Sequence, residues 1–291
     1  MGTLIFVDTN IYLDFYRFTG GDKDLSILTK LESHLNILIS THQVEMEFKK
    51  NRQKVILEAF DGIKTNIQNQ QFPAFLSSSK QAAALRNNEK DIQRLARTLR
   101  ERTRKVLANP IGFDSVYKCT QRIFKSNSDC NLSRENKTRF KIRRLARKRF
   151  LLGYPPRKNS DLSIGDAVNW EWIIHCAERC GSDVIIVTRD KDFGETFEGR
   201  PMINDWLNQE FKERVSKKRS VSVTNRLSEA MRQANISVTS AEENQEENII
   251  EQRRKPPFFL DVDELNTQKN MPPDLKNFLR LFKSGNVARE Q

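Results

Sequence analysis

Four carboxylates stand where acids can do chemistry: Asp8, Glu47, Asp166 and Asp190, with Asp192 two residues beyond the last. Asp8 ends the apolar run Leu4-Ile5-Phe6-Val7, and Asp190 follows Val184-Ile185-Ile186-Val187-Thr188. Continuous apolar runs of this length read as strands covered on both faces, as in a parallel sheet. In open α/β sheets the carboxyl ends of the strands form the crevice where ligands sit. Acids gathered there repel one another and stay ionised together only with a cation present. An all-oxygen donor set suits Mg²⁺ or Mn²⁺, which keep several waters and bind phosphate oxygens. One or two such ions can generate hydroxide and stabilise an in-line attack on phosphorus. Simpler roles exist for the same residues. Asp8-Thr9-Asn10 is good helix-capping chemistry, and Asp166 in a first helical turn complements the dipole.

Positioning these acids requires a particular order of elements. Leu4–Val7 reads as the first strand, followed by a helix over 11–17 and a second over 23–34. The second strand is expected over 35–40. A helix from about Thr41 carries Val44, Phe48, Val55 and Phe60 at helical spacing. Glu47 lies on the edge of that stripe, whereas Glu45 points elsewhere. From 62 to 149 the periodicity is helical, with no convincing strand and a long helix over 80–107. Gly153-Tyr154-Pro155-Pro156 ends this block, and a helix opening near Asp166 runs to about Cys180. After the 184–188 strand, a helix is expected over 201–215, a strand at 220–223 and a helix over 226–234. Residues 240–254 read as an exposed helix or linker, and a C-terminal piece follows Pro256-Pro257. Trp170, Trp172 and Trp206 are expected in the core.

Charge separates one segment from the rest. The net charge is +12, yet residues 80–150 alone carry 21 Lys and Arg against 6 Asp and Glu, leaving the remainder slightly acidic. Segregation of this kind suits a polyanion-binding surface. It is densest at 141–149, where Lys141, Arg143, Arg144 and Arg147 are the candidate phosphodiester contacts. No run has the apolar length of a membrane span, and the N-terminus has no signal-peptide pattern, so a cytoplasmic protein is expected. Cys119, Cys130, Cys176 and Cys180 are expected as free thiols. Cys176 and Cys180 near His175 have no second ligand pair of the kind structural zinc uses. No histidine pair is spaced for metal-free acid–base cleavage.

The motifs also carry a likeness. Strand-Asp8-Thr9-Asn10, His42-Gln43-Val44 through Phe48 with Asn51-Arg52, Ile164-Gly165-Asp166-Ala167, and Val187 through Phe193 resemble the PIN-domain nucleases. Within them, the longer signatures resemble a PIN-like subgroup with a large helical insertion. The likeness covers roughly 1–60 and 150–235. It implies a three-layer α/β sandwich with a central parallel sheet of about five strands. Residues 1–235 would form the nuclease domain, with a basic helical insertion at about 62–152, and 236–291 a charged linker and tail. By this likeness Asp8, Glu47, Asp166 and Asp190 bind Mg²⁺ or Mn²⁺, with Asp192 a further candidate ligand. Thr9, Asn10 and Thr188 support them by hydrogen bonding. The implied activity is metal-dependent cleavage of RNA. Alternatives are a structure-specific DNA nuclease of the same fold and an inactive nucleic-acid-binding protein. Partners implied are nucleic acid, a small antitoxin or other regulator, and a second copy of the chain. A role as a toxin or phage-defence effector belongs to the same set of expectations.

Overall fold

The computed structural model describes residues 2–17, 25–61, 72–156 and 163–254. The C-terminal piece from Lys255 onward lies outside the described residues. The first half of the chain runs β1 (Thr3–Val7), α1 (Thr9–Asp14), α2 (Ser26–Ser33), β2 (Leu38–Thr41) and α3 (His42–Asp61). There follow α4 (Ala74–Ser77), α5 (Lys80–Ala108), α6 (Pro110–Phe113), α7 (Ser115–Phe124), β3 (Asn131–Leu132) and α8 (Thr138–Leu151). The rest is α9 (Gly165–Cys180), β4 (Asp183–Val187), β5 (Gly194–Phe197), β6 (Arg200–Ile203), α10 (Asp205–Arg214), β7 (Val221–Thr224), α11 (Leu227–Gln233) and α12 (Ser240–Arg254).

Five parallel strands form the central sheet in the order β3-β2-β1-β4-β7, with helices flanking it. The chain winds outward from β1 through β2 and β3, then returns and winds the other way through β4 and β7. The reversal lies between β1 and β4, so the crevice of this fold opens at their carboxyl ends. Register fixes what faces it: Val7 pairs with Val187, so Asp8 and Thr188 emerge side by side. The apolar runs do what their composition dictates, since Ile5, Phe6, Val7, Ile186 and Val187 are almost wholly buried.

Helix α9 is the core's second support. Of its sixteen residues eleven are buried, including Trp170, Trp172, Ile173, Ile174 and Cys176, as a helix enclosed on several sides must be. It packs against β2 and β4 and also touches α3, α8 and α10. Gly181, in the left-handed region at φ 59°, terminates it, and β4 starts two residues later.

Several expectations need correction. The 62–149 block is not free of strand, because Asn131–Leu132 pairs with Ser40–Thr41 and forms one edge of the sheet. Two residues are too few to show periodicity. Residues 200–203 are not the start of a helix but the second strand of an antiparallel hairpin with 194–197. Trp170 and Trp172 are core residues as expected, but Trp206 is exposed and packs against Tyr154 with ring centroids 5.2 Å apart. Residues 240–254, expected as an exposed helix or linker, form the helix α12. One compact unit extends through Ile249, and Glu242, Glu246 and Ile249 are buried within it. Among the described residues no helix is long and apolar enough to cross a membrane.

Candidate active site

Asp8 is the most constrained of the acids. It leaves β1 in an extended conformation and caps α1, its Oδ1 accepting from Thr9 N at 2.7 Å. Capping and chemistry are therefore not rivals at this position. Oδ2 accepts from Thr188 Oγ1 at 2.7 Å and from Asn10 Nδ2 at 2.8 Å. Asn10 Nδ2 also reaches Thr188 Oγ1, and its Oδ1 accepts from Arg189 N at 3.2 Å. Asn10 and Thr188 thus knit the ends of β1 and β4 together. Among the described residues, the groups that hydrogen-bond the Asp8 carboxylate are neutral donors. Burial pushes its pKa from 3.8 to about 7; the Thr188 bond opposes the rise, and the charges of Asp190 and Glu47 add to it.

Glu47 comes to the same place from α3. Its Oε1 accepts from Gln43 Nε2 at 2.6 Å and its Oε2 from Thr9 Oγ1 at 3.1 Å. Gln43 and Glu47 are four residues apart, one turn along the same helical face. The third element, α9, approaches so closely that Gly165 leaves no space for a side chain. A Cβ there would stand 2.7 Å from both Gln43 Nε2 and Glu47 Oε1. Glycine at 165 lets α9 bring Asp166, in its first turn, to the cleft.

All five acids line one cleft of about 310 Å³: Asp8, Glu47, Asp166, Asp190 and Asp192. Thr9 and Asn10 share its wall with Gln43, Lys50, Asn51 and Ser163. Gln43 and Gly165 fall inside the motifs named above, yet their roles depend on contacts between elements far apart in sequence. The i, i+4 relation of Gln43 to Glu47 is the signal that points to the first of them. Among the described residues no three His, Cys, Asp or Glu stand close enough together to hold a metal ion between them. The donor chemistry nonetheless fits a hard divalent cation, since carboxylate, hydroxyl and amide oxygens dominate a space large enough for retained waters.

Glu45 faces a separate groove, as its place on α3 requires. It pairs with Lys49 at 2.6 Å, and His42 Nδ1 stands 3.4 Å away. His42 Nε2 accepts from Arg134 Nε at 2.8 Å, and burial lowers the pKa of this imidazole. The groove, about 770 Å³, includes Lys49, Lys125 and Arg134 and shares Met46 with the acid cleft.

Of the basic residues, Lys141, Arg143, Arg144 and Arg147 lie on α8. Lys141, Arg143, Arg144 and Arg147 are all exposed. Ile142 and Ala146 turn inward, and α8 packs on α9. Arg143 lies near enough for its charge to act on His42. Arg149, in the same run, is buried and bonds Glu171 at 2.9 Å, so it does not belong to the solvent-facing set.

The profile of the PIN-domain family matches residues 5–193, including both acid-bearing strands and the block between them. The chain belongs to the PIN-domain family. Metal-dependent nuclease action on nucleic acid is the general activity of PIN domains. No curated protein and no solved structure matches this chain. The family match accords with the fold, a parallel five-stranded sheet between helices.

Proposed function

We propose that this PIN domain is a metal-dependent endoribonuclease that hydrolyses phosphodiester bonds in the cleft between β1, β4, α3 and α9. The convergence of five acids from separate parts of the sequence on one cleft carries the reading. Asp8, Asp166 and Asp190 would hold the ion, with Asp192 a further ligand, and Glu47 would hold a second ion or orient the attacking water. The ion, Mg²⁺ or Mn²⁺, supplies charge stabilisation and an activated water. Thr188, Asn10 and Thr9 fix the Asp8 carboxylate, while Gln43 and Thr9 fix Glu47. Lys50, Asn51 and Ser163 face the scissile phosphate from the cleft wall. The adjoining groove, with Lys49, Lys125 and Arg134, continues the path of a polymer beyond Met46. Lys141, Arg143, Arg144 and Arg147 neutralise phosphates farther along.

RNA is favoured over DNA by the family's habits alone, so labelled RNA and DNA are offered together with Mg²⁺ or Mn²⁺. Wild type is compared with Asp8→Asn and Asp166→Asn, with a chelator control. Cleavage that needs metal and is lost in both variants supports the site, and the polymer cut decides between RNA and DNA nuclease. Binding without cleavage in every condition favours an inactive binding protein instead. The four α8 cations are read separately through salt. Their joint replacement by Ala flattens the dependence of log affinity on log salt, by about 0.7 for each single-strand phosphate that these side chains neutralise. A toxin or phage-defence setting would appear as a regulatory protein or antitoxin that suppresses this cleavage.

A further inference from the structure

The fold brings three of the four cysteines together well away from the acids. Cys176 and Cys180 stand one turn apart on the final half of α9, and the Cys130 backbone precedes β3. The Cys130 carbonyl oxygen accepts from Trp172 Nε1 at 2.9 Å and from Ser40 N at 3.0 Å. Trp172, Cys176 and Cys180 are spaced by four residues, so they share one face of α9. Cys130 is thereby held against that face, close enough to Cys176 and Cys180 for both to lower the pKa of its thiol. The three differ in access. Cys176 and Cys130 are buried, and Cys180 is exposed. Asp166 and Cys180 are fourteen residues apart on one helix, about 21 Å at the usual rise, so the trio is a separate feature from the cleft.

We propose that Cys130, Cys176 and Cys180 form a thiol–disulfide exchange site that reacts with a small disulfide, such as oxidised glutathione, and closes a reversible Cys130–Cys180 bond. Cys180 is the entry point because a soluble disulfide reaches only the exposed sulfur. Its sulfur attacks one sulfur of the small disulfide, forms a mixed disulfide and releases the first small thiol. The exposed Cys180 gives its proton to solvent as it attacks, and the departing thiolate takes one from solvent. Cys130 then attacks the Cys180 sulfur, the mixed disulfide breaks, and the second small thiol leaves with a proton from solvent. Two protein thiols are oxidised and one small disulfide is reduced to two thiols.

Cys176 holds Cys130 toward thiolate against the effect of burial, with Cys180 and the charge of Arg179 adding to this. Burial keeps Cys176 itself strongly protonated. Thiolate character at the resolving sulfur is what the second displacement needs. The closed bond would tie the edge of the sheet to the end of α9. Cys119 provides an internal contrast. It is buried on α7, donates to Glu32 Oε2 at 2.9 Å, and burial raises its pKa to about 12, so it should not react.

The test uses the full chain, oxidised glutathione, thiol counting and peptide mapping by mass spectrometry without reduction. Wild type should lose two thiols, yield a Cys130–Cys180 linked peptide and retain no glutathione, with Cys119 still free. Reductant should restore both thiols. Cys180→Ser, a change at an exposed position, should leave Cys130 unmodified, and Cys130→Ser should retain glutathione on Cys180. A stable adduct on wild-type Cys180, a link through Cys176 instead, or no reaction overturns the proposal. Because the wild-type result decides alone, a folding defect in Cys130→Ser would not protect it.

Discussion

Buried carboxylates in this protein fall into two kinds, and the cleft holds one of them. Away from it, buried acids are matched by a cation, arginine in most cases and Lys30 at Glu242. Glu171 is bonded by Arg149 at 2.9 Å and Arg214 at 2.8 Å, with Glu210 joining the same arginines. Asp114 pairs with Arg52 at 2.6 Å. Arg189 joins Asp14 to Glu246, whose two oxygens also accept from Leu227 N and Ser228 N. Asp8 and the half-buried Glu47 beside it, by contrast, are held by hydroxyls, amides and a backbone N–H. Arginine-matched acids are electrically complete as folded. Neutral donors orient a carboxylate without cancelling its charge, which suits a site whose cation comes from solution. Arg189 marks the boundary between the two kinds, since its side chain anchors to Asp14 and Glu246 while its neighbours Thr188 and Asp190 act on Asp8.

The comparison breaks most visibly at Glu171. Glu171→Gln removes the countercharge of Arg149 and Arg214 in a buried setting, where breaking a pair typically costs about 3–5 kcal/mol. Urea denaturation should show that loss as a lower midpoint with little change in slope. A change below about 1 kcal/mol would mean that Glu210 alone satisfies both arginines.

Asp8→Asn should behave in the opposite way. It removes charge from a buried position and keeps a side chain that can still cap α1, so the fold should persist or gain stability. Cleavage should fall by roughly a hundred- to a thousand-fold, the order seen when a directly acting electrostatic group is lost. A variant that is both inactive and unfolded would remove the distinction between the two kinds of acid.

Divalent metal provides the third comparison. A ligand that binds only the folded state at one hundred times its Kd stabilises by about 2.7 kcal/mol. Mg²⁺ or Mn²⁺ should therefore raise the melting temperature of wild type but scarcely that of Asp8→Asn. Glu171→Gln, if it stays folded, should keep the metal-dependent rise, because its arginines lie outside the cleft. Equal rises in wild type and Asp8→Asn would place the ion elsewhere.

What can be read before folding follows the same division. The apolar runs ending at Val7 and Val187 announce buried parallel strands, and acids just beyond such strands announce a cleft. Local pattern carries both facts. Arg149 and Arg189 look like surface or motif cations in the sequence because their partners, Glu171 and Glu246, lie on other elements. Glu242 and Glu246 look solvated in an acidic stretch for the same reason. β3 is too short for periodicity, and the 194–203 hairpin is largely exposed, so neither has a burial pattern to show. Gly165 sits within a motif, but its purpose depends on how close α9 comes to Glu47. Side chains whose role is set by a distant partner are the ones a single sequence hides.

Glu242 offers the smallest and most discriminating test, because it is buried as Asp8 is but its pKa moves the other way. Burial raises it, yet the Lys30 ammonium at 2.7 Å, Ser26 Oγ at 2.6 Å and Thr239 outweigh burial and hold it at about 2. A carboxylate whose pKa falls on folding contributes stability that is fully present above its ordinary value near 4.5 and disappears as pH falls through about 2. Glu242→Gln should cost about 1–3 kcal/mol near neutral pH, the usual range for losing a charged hydrogen-bond partner in a buried site. The gap between wild type and variant should narrow steadily from about pH 5 to about pH 2 in denaturation curves. A gap that stays constant over that range would show that shape and hydrogen bonding, rather than the ion pair with Lys30, fasten this part of α12 to α2. In that case a neutral amide would suffice at Glu242, and the contrast with Asp8 would rest on hydrogen-bond geometry instead of countercharge.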